Sequence, residues 1–157
     1  MTNYAGLKAE IAKPAYAGMT DAQIEAALTA PMTVAVDVPT GAVEGFFRSR
    51  LLMGGLQRFV ANPPQGAPAE LVEGISEFLG MVLSPHVSAV QMSDPSINAT
   101  VTTVINAAAA SGLLTTQQAA DLLALGVRQT TLAETLGFTP GEIHDMGQEL
   151  LAARRWE

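Results

Sequence analysis

Hydrophobic residues recur along most of the chain at the three- and four-residue spacing of a helix buried on one face. The clearest stripe is Leu71, Val72, Ile75, Phe78, Leu79, Val82 and Leu83, set between the turn-forming NPPQGAP at 62–68 and Pro85. A second stripe comprises Ile97, Val101, Val104, Ile105 and Ala108. Asp94-Pro95 opens it with a cap and a first-turn proline, and Gly112 closes it. A longer helical stretch runs from Thr40 to about Asn62 and carries Phe46, Phe47, Leu51, Leu52, Leu56, Phe59 and Val60. Gly54-Gly55 splits or kinks it, because glycine costs about 1 kcal/mol against alanine inside a helix.

Start and stop signals place the remaining helices. The first runs from Tyr4 to Lys13 and stops at Pro14. The second starts at Thr20, where Gln23 can return a hydrogen bond to the cap residue, and it ends near Ala30. Thr115 and Gln118 repeat that arrangement, one local solution used twice and no sign of a duplicated domain. Three short helices follow, at about 116–125, 130–136 and 140–154. One segment breaks the helical period. In TVAVDVPT, Val34, Val36 and Val38 alternate with small or polar residues, the period of a strand. It has no local partner, so it reads as an extended segment laid on the helices or an edge offered to another chain.

Composition supports helices packed through small side chains. Aromatics make up only 5% of residues while alanine and glycine abound, which disfavours a β-sandwich core. The expectation is an all-α, single-domain bundle of seven to eight short helices over residues 1–157, with one extended segment near 32–39. With no cysteine there is neither a disulfide framework nor a thiolate metal site. No apolar run reaches the length of a membrane span, so no membrane partner is expected. A net charge of −7 works against attraction to a phosphate polymer.

The candidate chemistry is sparse. TLAETLGFTPGEIHDM at 131–146 has the layout of a helix-turn-helix, with Ala133 permitting close packing and Gly137 making the turn. Between Thr131 and Leu151, however, there is no lysine or arginine, against Glu134, Glu142, Asp145 and Glu149. A DNA reader neutralises phosphates, and this segment repels them. His144-Asp145 with Glu142 do not share one helical face, and His86 sits at a helix end, so no metal, cofactor or catalytic residue is expected. Gly54-Gly55 lacks the Lys-Ser/Thr of a phosphate loop. The one basic patch is Arg48, Arg50 and Arg58, beside Phe46 and Phe47. It fits arginines snorkelling round a buried aromatic face, and it fits equally a partner surface that includes Val34, Val36 and Val38.

Two stretches are similar to the ends of small proteins encoded among the virion and tail genes of tailed bacteriophages and prophages. NYAGLKAEIAKPAYAGMTDAQIEAALTA resembles their opening through Tyr4, Leu7, Lys8, Glu10, Ile11, Met19, Thr20 and Asp21. RQTTLAETLGFTPGEIHDMGQ resembles their close through Arg128, Glu134, Leu136, Gly137, Pro140 and Gly141. Residues 32–126 have no counterpart. The resemblance implies a non-enzymatic structural protein of a phage virion, tail or tail-associated, located in the particle and, during assembly, in the host cytoplasm. Its partners would be other phage structural proteins and further copies of itself, as a homo-oligomer or multi-copy component, with no nucleic acid. The alternatives are a small helix-turn-helix regulator using residues 130–150, and an assembly accessory protein absent from the mature particle.

Overall fold

A computed structural model describes residues 2–156. The chain folds into two compact units, a terminal one built from both ends (up to Thr33 and from Gln129) and a central one, Val34–Arg128.

The amino-terminal part of the terminal unit holds α1 (Tyr4–Ile11), a 3₁₀ turn at Pro14–Tyr16 and α2 (Asp21–Thr29). Strand β1 (Met32–Ala35) then leads into the central unit. That unit contains β2 (Val38–Pro39), α3 (Thr40–Ser49), α4 (Met53–Ala61), α5 (Ala69–Leu83), β3 (Ala89–Val90), α6 (Pro95–Ala110) and α7 (Thr116–Ala124). Strand β4 (Val127–Thr130) returns the chain to the terminal unit for α8 (Leu132–Thr135), α9 (Pro140–His144) and α10 (Met146–Arg155).

The protein is mostly helical but not all-α. Among the described residues there are ten α-helices, more than the seven or eight expected, and two two-stranded sheets, β1 with β4 and β2 with β3. The extended segment finds its partners inside the chain. Val38 pairs with Val90 and Pro39 with Ala89, antiparallel, and both valines are buried. The buried Thr40 closes that corner, its N–H donating to Ser88 O at 3.0 Å and its hydroxyl to Val87 O at 3.0 Å. In the other ribbon, Gln129 Nε2 donates to Thr33 Oγ1 at 2.8 Å and Val36 N–H to Gly126 O at 2.9 Å. The paired numbers run in opposite order, as an antiparallel ribbon requires.

Two of the expected helices are broken. The 40–62 stretch divides at Leu51, and Gly54-Gly55 lie in the first turn of α4. The 140–154 stretch divides at Asp145, whose backbone ends α9 and begins α10, and α10 then buries Met146, Leu150 and Ala153. Each unit has its own core. In the central one, α3, α4 and α6 pack on α5 around Phe47, Leu56, Ile75, Leu79 and Ile105. In the terminal one, Leu7, Leu28, Phe138, Met146 and Leu150 come together, with α10 packed on α1 and α2.

Candidate interaction surface

The α3–α4 corner takes its shape from how α3 ends. Leu51 N–H donates to Arg48 O at 3.1 Å and Leu52 N–H to Phe47 O at 2.8 Å, the paired bonds of a Schellman motif. That motif needs a left-handed residue at its centre, normally glycine. Here it is Leu51, with φ 58° and its residue surface 91% exposed. The next residue, Leu52, packs back onto the central core.

The expected partner residues divide by burial. Phe46 and Phe47 are buried in the central unit, the rings 5.9 Å apart edge to face, with Phe47 also 6.2 Å from Phe78. Val38 is buried, while Val34 and Val36 are half-buried. What reaches the surface is Arg48, Arg50 and Arg58. Arg48 Nε donates to Glu44 Oε1 at 2.7 Å, one helical turn earlier. The Arg50 guanidinium lies over the Phe46 ring, 3.8 Å from its centre, so a buried ring seats an exposed cation. Sequence reasoning grouped the rings with the arginines and took Leu51 for one more apolar helical residue. No local signal marks a leucine that will adopt the left-handed region.

The helix-turn-helix segment uses its polar residues internally. Gly137, with φ 89°, ends α8 by the same paired bonds, and Phe138 turns into the terminal core, where Tyr4 meets it edge to face at 6.3 Å. Glu134 accepts from Thr130 Oγ1 at 2.6 Å and caps α8 with Thr131. Glu142 accepts from Thr139 N–H and from Thr2 Oγ1, each at 2.7 Å. Those hydrogen bonds hold its carboxyl below the usual range, the Thr139 backbone contributing most. The helix in the recognition position, α9, is five residues long.

Ion pairs in the terminal unit tie its distant parts together. Arg154 Nη2 lies 2.7 Å from Asp21 Oδ1, joining the last turn of α10 to the first turn of α2, where each charge also suits its helix dipole. The arginine lowers the Asp21 pKa, and the carboxylate raises that of Arg154. Lys13 and Tyr16 both bond Glu10, lowering its pKa. The Glu149 carboxylate raises the Tyr4 pKa, chiefly by hydrogen bonding. Among the described residues, no three His, Asp or Glu side chains are grouped to hold a metal ion, and no helix is long and apolar enough to cross a membrane. No protein family, curated protein or solved structure matches the chain.

Proposed function

We propose that this chain is a non-enzymatic structural component of a tailed-bacteriophage particle, tail or tail-associated, working through contacts with other virion proteins. The reading rests on the resemblance at the two chain ends, and one observation supports it. Most of the residues that carry the resemblance lie in the terminal unit, and several of them pack or cap it. Leu7 is fully buried, Thr20 and Glu134 complete capping boxes, Gly137 makes the left-handed turn, and Asp21 holds Arg154. A motif made of such groups suits a scaffold role. The exposed arginines of the α3–α4 corner offer a surface for assembly contacts.

The α8–α9 turn favours the alternative, a small DNA-binding regulator, by its geometry. The charge of that segment and the length of α9 weigh against it. An assembly accessory protein is the third reading. Mass spectrometry of purified particles of the encoding phage separates them. A virion component is present at a fixed copy number, an accessory protein is found only in assembly intermediates, and a regulator is absent from both.

A further inference from the structure

We propose that the α3–α4 corner of one copy docks head-to-tail into a groove at the far end of α4 in a second copy. The contact rests on the central unit alone and does not depend on the virion role. The corner presents Leu51, 91% exposed and held out by its left-handed backbone, directly after the exposed Arg50 and three residues after the exposed Arg48. Folding gains little from leucine here. The residue contributes almost no burial, and its backbone position is one that glycine fills without strain. A large apolar side chain kept in water at such a site is suited to binding.

The groove lies where α4 runs on through the 62–68 loop into α5. It has a volume of about 490 Å³, an apolar lining of Val60, Pro63, Ala67 and Val72, and the carboxylates of Glu73 and Glu77 on its rim. Corner and groove sit at opposite ends of α4, whose nine residues span about 13 Å. A copy therefore cannot fill its own groove with Leu51. Charge selects the occupant. The corner offers two cations beside one apolar plug, and the groove offers an apolar socket beside two carboxylates. Exchanging the exposed Arg48–Glu44 pair for Arg48 with a neighbour's Glu73 or Glu77 costs little, because surface ion pairs are weak. Arg58, two residues from Val60, starts from the opposite side of α4 and is not among the groove's lining residues.

The two surfaces differ, so the contact is heterologous. Repeated, it closes into a ring or extends as an open row. Its small area makes each junction weak and salt-sensitive, with avidity arising from repetition.

Sedimentation velocity on the full chain over a range of concentrations tests this. The parent should show a sedimentation coefficient that climbs with concentration and falls back at high salt. Leu51→Gly should weaken self-association by roughly tenfold or more while melting no lower than the parent. Glu73→Lys with Glu77→Lys should do the same from the groove side. The deciding measurement is the equimolar mixture of these two variants. One keeps only a working groove and the other only a working corner, so together they should form a one-to-one dimer and nothing longer. The proposal is overturned if the parent stays monomeric up to about 1 mM, if either variant associates as the parent does, or if the mixture stays monomeric. A parent that is monomeric alone yet binds another virion protein through Leu51 would also overturn it, because the occupant would not be a second copy.

Discussion

Leu51 holds at the end of α3 the left-handed backbone position that Gly112 holds at the end of α6. The hydrogen bonds correspond one to one. Gly112 N–H donates to Ala109 O at 3.1 Å and Leu113 N–H to Ala108 O at 3.0 Å, as Leu51 and Leu52 donate to Arg48 and Phe47. In both motifs the following leucine packs on the same core. The difference lies in φ, 82° at the glycine and 58° at the leucine, and in the side chain that the latter must accommodate.

Leu51→Gly should therefore stabilise the protein by about 1 kcal/mol, the usual penalty for a side chain in this region. The melting temperature would rise by roughly 2–4 °C for a chain of this size. Gly112→Leu should move it as far in the other direction. A lower melting temperature for Leu51→Gly would mean that the leucine is held by its own fold.

Acid should loosen both units. Asp21, Glu10, Asp37 and Glu142 all have lowered pKa values, through Arg154, Lys13, Ser93 and the Thr139 backbone respectively. A carboxyl whose folded pKa lies below its unfolded one contributes stability above about pH 4, and that contribution is lost as pH falls through the folded value. The parent should melt at a lower temperature at pH 3 than at pH 7. Asp21→Asn should melt below the parent at pH 7, with the gap closing toward pH 3. A gap of constant size would show that the Asp21–Arg154 pair is not its source.

Arg48→Glu with Arg50→Glu should leave the protein folded, because both side chains are exposed and a surface pair contributes little. The loss should be limited to Arg50's contact with Phe46, about 0.5–1 kcal/mol, and the replacement of the Arg48–Glu44 pair by a like-charged one, about 0.2–0.5 kcal/mol for each change. On the proposed virion role, incorporation into particles or self-association should fail. Normal assembly with normal folding would move the interface away from this corner.

The terminal unit should survive removal of the central one. Thr33 and Gln129 already touch across the β1–β4 ribbon, so Asn-Gly in place of residues 34–128 can close it as a tight hairpin. A unit of about sixty residues is marginal in stability, so the expected result is a cooperative melt at a lower temperature. A chain without cooperative unfolding would mean that the terminal core is insufficient alone.

What was legible in the sequence was local. The capping boxes at Thr20 and Thr115, the Asp94 cap with Pro95, and the buried faces of α5 and α6 follow from residues within a turn or two of one another. The strand partners do not. The alternation of Val34, Val36 and Val38 marked the extended segment, but Val90 and Gly126, which Val38 and Val36 meet, lie far off in sequence and in strands too short to show a period. The break at Leu51 was invisible for a different reason. Two glycines three residues later carry the strongest helix-breaking signal, yet α4 absorbs both while a leucine takes the special backbone. At the candidate surface, the three arginines emerge as expected, but burial assigns Phe46 and Phe47 to the core, which a pattern of apolar positions alone cannot distinguish from a sticky exterior.

The first and last helices both lie in the terminal unit, where α1 packs against α10 and Lys8 Nζ donates to the Trp156 carbonyl at 2.8 Å. This fixes the route of mechanical load. Tension applied between the first and last helices shears α1 against α10 and is spent there. The central unit, attached as a loop at the β1–β4 ribbon, carries no force until the terminal unit has given way. Pulling α1 away from α10 would leave the Leu51 corner undistorted.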